Sequence, residues 1–442
     1  MVLALQLLLS LSILIVLHEL GHFIPAKLFK TRVEKFYLFF DPWFSLAKKK
    51  VGDTVYGIGW LPLGGYVKIS GMVDESMDKD QMKLPPQPWE FRSKPAWQRL
   101  IIMIGGVTVN VFLGIFIYSM ILWGYGKEVV PVDGMPNGIF CDSYMLELGF
   151  RDGDVIAAVD GEKPEDFVSV NKWLLLKDIK VITVNRDGSL VDVAIPDGVG
   201  HELVNRGVKS SFTPRIFMAT VVDSVLPGLA AEKAGLQVGD SIQSINGIAV
   251  NYQQEVQRIL QGNREKDVEF LVRRNGADTK LNMTVSKKGA VGFVVKADDA
   301  VKAQAPRVDT LQYSFFEAIP GGFKEAWEVI TDQAVSMKFL FSKAGVQQLG
   351  GFITIAKIFP NEWNWWAFWE KTAFISLILA FMNILPIPAL DGGHVIFLVW
   401  EVITGRQASQ KVLEAAQMIG MVLLLALLLY ANGMDIFRLA TE

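Results

Sequence analysis

The chain has 442 residues, of which 51% are hydrophobic and 20% are charged, and its formal net charge at pH 7 is −3. This composition is apolar and poor in charge for a soluble protein, and the near-neutral balance excludes a nucleic-acid binder that works through general basicity. The single cysteine excludes a disulfide framework and a cysteine-based structural zinc site.

Four apolar stretches account for the composition and predict a polytopic α-helical membrane protein with four transmembrane helices. Each stretch is long enough, or nearly so, to cross a hydrocarbon core of about 30 Å as a helix. No basic residue precedes Lys27, so the first stretch fits a retained span better than a cleaved signal peptide. The predicted spans cover residues 1–29, 100–124, 367–391 and 412–434.

The basic residues predict the orientation of these spans. The segment 30–99 is rich in lysine and arginine, and the loop and short helix predicted at 392–411 contain Arg406 and Lys411. The positive-inside rule places both segments in the cytoplasm. Both termini and the long segment between the second and third spans are then extracytoplasmic.

That long segment contains an internal duplication. The pattern G-x-x-x-G-D-x-I-x-x-[VI]-[ND]-G begins at Gly149 and recurs at Gly235, 86 residues later. The run resembles PDZ domains, and we expect two β-rich PDZ domains at 126–209 and 210–297. Domains of this kind bind extended peptides by strand addition. Residues 298–366 follow them as an amphipathic helical segment.

The first span ends in the motif His18-Glu19-Leu20-Gly21-His22. Two histidines four residues apart lie on one helix face, so both imidazoles can reach one metal ion. Glu19 between them is placed to take a proton from water. Ionisable side chains at membrane depth are costly, which favours a functional role over a structural one.

A catalytic zinc site needs a third protein ligand. The best candidate is Asp391, in the motif N-x-x-P-x-P-x-L-D-G-G-H that runs from Asn383 to His394. Prolines and glycines break the helix there, and irregular backbone at membrane depth is tolerated where it lines a cavity. His394 is the rival third ligand.

Together these motifs resemble the site-2 protease family of intramembrane zinc metalloproteases, and most closely its bacterial RseP-like branch. The resemblance covers nearly the whole chain. It implies a Zn²⁺ ion held by His18, His22 and Asp391, Glu19 as the catalytic base, and Asn383 as a residue that holds substrate.

The same resemblance extends to the segment before the second span. The run Trp60-Leu-Pro-Leu-Gly64-Gly65-Tyr66-Val-Lys68 is similar to the family's membrane-associated β-hairpin on the cytoplasmic side. We expect a hairpin at 54–70, with Gly64, Gly65 and Tyr66 in contact with substrate. Relatives have a G-F-G-x segment where this chain has Phe39-Phe40-Asp41-Pro42.

The resemblance further implies a multi-pass protein of the bacterial cytoplasmic (inner) membrane. Its expected substrates are single-pass proteins such as membrane-anchored anti-sigma factors or remnant signal peptides, cut in the bilayer after a first ectodomain cut. The PDZ domains are expected to contact the substrate ectodomain. Two alternatives stay open: a non-proteolytic PDZ scaffold with a structural metal, and a metal transporter.

Overall fold

The computed structural model describes residues 2–62, 64–72, 84–218, 220–296, 302–340, 342, 345–346 and 349–441. The chain divides into two compact units. The first unit combines Met1–Gly126 with Gln312–Glu442, and the second is Lys127–Leu311.

The α-helices within the described ranges are numbered in chain order. They are α1 (Val2–Leu28), α2 (Ala96–Tyr125), α3 (Ser143–Glu147), α4 (Phe167–Leu176), α5 (Val199–Asn205), α6 (Ala230–Lys233), α7 (Gln253–Gly262), α8 (Phe315–Leu340), α9 (Phe352–Ala356), α10 (Trp365–Ile384), α11 (Asp391–Thr404) and α12 (Gln410–Thr441).

The β-strands are numbered in the same way. They are β1 (Val33–Leu38), β2 (Phe40–Val51), β3 (Thr54–Leu61), β4 (Tyr66–Ile69), β5 (Lys127–Val129), β6 (Ile139–Cys141), β7 (Val155–Val159), β8 (Val181–Arg186), β9 (Ser189–Ala194), β10 (Phe212–Pro214), β11 (Val222–Val225), β12 (Ser241–Ile245), β13 (Ile248–Ala249), β14 (Asp267–Arg274), β15 (Ala277–Thr284), β16 (Phe293–Val295) and β17 (Asp309–Leu311).

Among the described residues, four helices are long and apolar enough to cross a membrane: α1, α2, α10 and α12. They coincide with the four predicted spans, but the third differs at its end. The sequence predicts a helix that reaches residue 391, whereas α10 ends at Ile384 and Asp391 begins the separate helix α11. Pro386 and Pro388 explain the break, because proline lacks an N–H group and disfavours helical backbone in the residue before it.

Helices α1 and α2 approach each other closely at a pair of glycines. A Cβ atom at Gly21 would collide with the backbone of Gly105, and a Cβ at Gly105 would collide with the carbonyl of Gly21. Small residues let transmembrane helices pack backbone against backbone where lipid gives no hydrophobic drive for association. The contact lies one residue before His22 and therefore fixes the motif-bearing face of α1 against α2.

Strands β1 to β4 form one sheet in the first unit, with the order β2-β3-β1-β4. Strand β1 is parallel to β3 and antiparallel to β4. The hairpin expected at 54–70 is therefore wrong: β3 and β4 lie on opposite sides of β1, and β3 forms its hairpin with β2. Tyr37 of β1 contacts both neighbouring strands: its ring lies over Gly57 of β3 and stacks on Tyr66 of β4 with ring centroids 5.3 Å apart.

In the second unit the two repeats have equivalent elements around separate hydrophobic cores. The first repeat contains the sheet β7-β8-β9 with helix α4, and the second contains β13-β12-β14-β15 with helix α7. Strand β7 and helix α4 recur as β12 and α7 after the same 86 residues as the sequence motif. The duplication seen in the sequence is thus a duplication of structure, and the assignment of both copies as PDZ domains stays a prediction.

Each repeat also contains a buried aspartate paired with arginine. Asp154 and Asp240, the aspartates of the repeated motif, have side chains that are only 1% exposed. Arg186 donates to both oxygens of Asp154 at 2.8 Å, and Arg274 donates to both oxygens of Asp240 at 2.7 Å. Bidentate pairs of this kind are the stronger hydrogen bonds in proteins. The motif aspartate therefore joins the glycine turn to the end of β8 in the first copy and to the end of β14 in the second.

The second unit begins and ends in one two-stranded ribbon. Strands β5 and β17 pair antiparallel, with Lys127 opposite Leu311 and Val129 opposite Asp309. Cα atoms of opposed residues in such a pair lie about 5 Å apart. The unit is therefore an insertion whose two ends are neighbours.

We predict that Asp240→Asn lowers the hydrogen-exchange protection of the β12 and β14 amides in the full-length protein by about tenfold or more, because it breaks a buried charge pair. The matched control is Asp278→Asn, which breaks the half-exposed pair with Arg273 and should change protection by less than about twofold. Hydrogen–deuterium exchange with mass spectrometry measures both.

Acid should reproduce the Asp240 effect in the wild-type protein. The hydrogen bonds from Arg274 hold the pKa of Asp240 below its ordinary value. Its contribution to stability is then fully present above the unfolded pKa of about 4 and is lost as the pH falls through the folded value. Equal hydrogen-exchange protection in Asp240→Asn and Asp278→Asn would contradict a stabilising role for the Asp240–Arg274 pair.

Candidate active site

Three potential metal ligands meet in the first unit. The Nε2 atoms of His18 and His22 lie 3.3 Å apart, and each lies 3.3 Å from Oδ2 of Asp391. Within the described ranges this is the group of histidine, cysteine and acidic side chains that could hold a metal ion. The sequence pairs the histidines by helical spacing, and the fold brings an aspartate from 369 residues later to the same point.

Two elements position these side chains. His18 and His22 lie one turn apart on α1, and Asp391 is the first residue of α11. A Cβ atom at Gly392 would collide with the carbonyl of Leu385, so glycine is needed for α11 to begin directly under the irregular turn.

The protonation of His22 is set by a backbone group of α2. Its Nδ1 lies 2.8 Å from the carbonyl oxygen of Ile102, and a carbonyl can only accept. Nδ1 therefore carries a proton, and in the neutral ring Nε2 is the atom whose lone pair can bind a metal at the centre of the cluster. Histidine ligands of metals are oriented in this way by a hydrogen bond from the other ring nitrogen.

The geometry of the three atoms fits a zinc ion. A tetrahedral site with bonds of about 2.0–2.1 Å places its ligand atoms about 3.3–3.4 Å apart, which is the spacing between these atoms. Oδ2 of Asp391 is buried and accepts no hydrogen bond from the described residues. A buried carboxylate oxygen facing an imidazole lone pair is unfavourable alone and is satisfied by a cation. Three protein ligands are the number that catalytic zinc sites use.

Glu19 lies beside the cluster at the wall of a cavity of about 680 Å³. The backbone of Val67 in β4 hydrogen-bonds to its carboxylate. The same cavity is lined by both histidines, by Asp391 and by strand β4 from Tyr66 to Ile69. A carboxylate, a three-ligand cluster and the edge strand of a sheet thus share one space.

The other predicted site residues lie at or near this cavity. Asn383 lines it with its Nδ2 3.5 Å from Nε2 of His18. Gly65 and Tyr66 also line it, whereas Gly64 packs against the ring of Phe40. His394 lines the cavity, but within the described chain it is not one of the three clustered ligands.

Two residues with a part in this site were not identified from the sequence. A Cβ atom at Gly106 of α2 would collide with Nε2 of His22 and Cε1 of His18, so this glycine provides the space that the imidazoles occupy. Asp41 lines the cavity and accepts a hydrogen bond of 2.8 Å from the hydroxyl of Tyr66. Asp41 belongs to Phe39-Phe40-Asp41-Pro42, the segment that differs from the G-F-G-x pattern expected from the resemblance, and that difference was the available signal.

We predict that Gly106→Ala weakens zinc binding by at least about tenfold, because the added methyl group displaces the two imidazoles from a closely packed position. Zinc content and affinity of the purified protein measure the effect. Gly124→Ala is the matched control on the same helix, since nothing lies within 4 Å of a Cβ there. Equal zinc affinity in the two variants would contradict the packing argument.

The chain is similar to known proteins over nearly its whole length. Residues 6–427 match the model of peptidase family M50. The chain is 30% identical to regulator of sigma-E protease RseP of Escherichia coli and 28% identical to regulator of sigma E protease of Haemophilus influenzae, in each case over 97% of both chains. It is also 30% identical, over 97% of both chains, to a Vibrio cholerae protein whose name describes it as a zinc metalloprotease.

These matches confirm the resemblance seen in the sequence, the assignment as an enzyme and the zinc cofactor. The apolar helices agree with a membrane-embedded family. The chain therefore belongs to peptidase family M50, the site-2 protease family, and is an intramembrane zinc metalloprotease.

Proposed function

We propose that this protease cleaves the transmembrane segments of single-pass membrane proteins. The observation that carries the proposal is the shared cavity: Glu19, the three clustered ligands and the edge strand β4 all line it. The ligands lie on or next to apolar helices, so the scissile bond would be brought to them at membrane depth.

In this proposal His18, His22 and Asp391 hold the zinc ion. Zinc supplies Lewis acidity, which activates water and polarises a peptide carbonyl. Glu19 accepts a proton from the attacking water and returns it to the leaving amine. Its position next to His18 on α1 and at the cavity wall is suited to both transfers.

Asn383 is proposed to stabilise the reacting carbonyl or a neighbouring peptide group. Its Nδ2 lies near the cluster, and an amide nitrogen donates to the negative charge that develops on the carbonyl oxygen. Because α10 ends at Ile384, Asn383 lies in the last turn of that helix and faces the cavity rather than continuing a regular span.

Strand β4 is proposed to receive the substrate. A transmembrane helix hides its carbonyls in internal hydrogen bonds, so it must be extended before attack. Strand β4 is an edge strand of its sheet in the described chain and lines the cavity next to Glu19. An extended peptide can add to such an edge through main-chain hydrogen bonds. Gly65 and Tyr66 would then contact the substrate, as the sequence predicts.

The second unit is proposed to be extracytoplasmic and to screen substrates by their ectodomains. The positive-inside rule supports this side, with both termini outside and the basic segment 30–99 in the cytoplasm of a bacterium. The two repeats are proposed to be PDZ domains that contact the substrate ectodomain. They differ at the strand that would receive a peptide.

In the first repeat that strand is β10, and an asparagine side chain already occupies its backbone hydrogen-bonding groups. Oδ1 of Asn171 on α4 accepts from the N–H of Phe212 at 2.8 Å, and its Nδ2 donates to the carbonyl of Phe212 at 2.9 Å. One amide therefore satisfies the backbone edge of β10 as an added strand would. The position 86 residues later on α7 is Gln257, which is exposed and makes no such bond within the described residues. The second repeat is the better candidate for peptide contact.

The proposed substrates are membrane-anchored anti-sigma factors or remnant signal peptides that another protease has already shortened. The names of the Escherichia coli and Haemophilus influenzae relatives, which refer to regulation of sigma E, support the first class. The competing proposal is a membrane scaffold in which the repeats bind partners and the metal is structural.

We predict that Glu19→Gln slows cleavage of a single-pass model substrate in detergent by about 10²–10⁴-fold while zinc content is unchanged, because it removes the proton acceptor but no metal ligand. The control is Glu202→Gln, which alters an exposed pair with Arg206 and should cleave like the wild type. If neither the wild type nor any variant cleaves shortened substrates despite bound zinc, the scaffold proposal is favoured.

We also predict that replacing residues 127–311 by a short Gly-Ser linker extends cleavage to substrates with an intact ectodomain. The two ends of this unit are paired in β5 and β17, so its removal leaves ends that a short linker can join. Cleavage of a shortened substrate, measured in the same membranes, should be retained. Equal loss of cleavage for intact and shortened substrates would contradict a screening role.

A further inference from the structure

A fully buried asparagine lies against the first of the two histidines. Asn110 of α2 has no exposed surface, and its Nδ2 lies 3.3 Å from Nδ1 of His18. Its Oδ1 is also buried and has no hydrogen-bond partner among the described residues. A buried polar group without a partner is costly, so this amide calls for an explanation.

The position of the proton on the His18 ring offers an explanation for this buried amide. Nε2 of His18 faces Nε2 of His22 and Oδ2 of Asp391, so it binds a metal only when its lone pair is free. The proton of the neutral ring must then lie on Nδ1 and needs an acceptor. A half-turn of the Asn110 amide exchanges its oxygen and nitrogen, so that Oδ1 accepts from Nδ1–H and Nδ2 takes the position that has no partner among the described residues.

Helix α2 would then serve both histidines in the same way. The carbonyl of Ile102 faces Nδ1 of His22 at 2.8 Å, and Asn110 faces Nδ1 of His18 two helical turns later. Gly106 lies midway between them and leaves the space for the rings. Residues 102, 106 and 110 are spaced four apart, so an acceptor, a gap and a second acceptor lie along one face of α2.

We propose that Asn110 is a positioning residue that holds His18 as the Nδ1-protonated tautomer and directs its Nε2 to zinc. The inference rests on the proposed metal site. Hydrogen bonds to the second nitrogen of ligating histidines commonly change metal affinity by about 10–100-fold. The hydroxyl of Ser376 also holds Asn110, but it donates to the backbone carbonyl at 2.8 Å, a bond that side-chain substitutions at 110 retain.

The test is the zinc affinity of the full-length protein in detergent, measured by competition with a chelator. Asn110→Ala removes the acceptor and should weaken zinc by about 10–100-fold. Asn110→Asp supplies a carboxylate acceptor of similar size and should bind zinc at least as tightly as the wild type. Ser376→Ala, which removes the other hydrogen bond of Asn110, should leave the affinity within about twofold.

The visible spectrum of the cobalt-substituted protein gives a second readout that depends on ligand geometry. It should change in Asn110→Ala and be restored in Asn110→Asp. Wild-type affinity in Asn110→Ala, an equal loss in Asn110→Asp, or an equal loss in Ser376→Ala would each overturn the proposal. His22→Ala in the same assay distinguishes failure of the proposed metal site from failure of the proposed role of Asn110. If His22→Ala leaves zinc binding intact, the metal site itself is misassigned.

Discussion

The separation of α1 and α2 is the constraint on which the site depends. The histidines lie on α1, while the carbonyl that orients His22 lies on α2, so the distance between the helices sets the direction of the ligand atom. Gly21 and Gly105 bring the two backbones into contact, and Gly106 leaves the space that the imidazoles fill. In a lipid environment close packing and hydrogen bonds hold helices together, and the same contacts here also fix the ligands.

The third ligand requires irregular backbone at the end of a span. The turn between α10 and α11 contains Ala389 at φ 77°, a conformation that costs free energy for a residue with a side chain. The packing around the turn offsets that cost. A Cβ at Gly393 would crowd Ile387, and a Cβ at Gly420 of α12 would collide with the carbonyl of Pro388. The partly buried ion pair of Arg99 with Glu401 further joins the start of α2 to α11.

The parts of this molecule that the sequence could predict are those with a local signature. Helix periodicity and length revealed the spans, the four-residue spacing paired His18 with His22, and a fixed offset revealed the repeats. The uncharged run predicts a third span to residue 391, whereas α10 ends at Ile384. Pro386 and Pro388 are the local signal that marks this end, because proline disfavours helical backbone at and before its own position.

The parts that the sequence could not give depend on contacts between distant segments. The order β2-β3-β1-β4 places Tyr37 against both Gly57 and Tyr66, and no pattern within 54–70 shows which strand is the neighbour. The roles of Gly106 and Asn110 at the site could not be predicted from the sequence either. Glycine and asparagine in an apolar helix indicate a packed interface, but only the fold shows that this interface faces the histidines.

Polar residues away from the cavity complete the argument for a preorganised site. Gln6, Ser10, Thr372 and Ser376 have no exposed surface, and the hydroxyl of Thr372 donates to Ser10 at 3.0 Å. Ser376 donates to the backbone of Asn110, so α10 is fastened to α2 directly beside His18. With little water to compete, such bonds hold helices in one register. These bonds therefore hold α10, the helix that carries Asn383, in one register with α1 and α2.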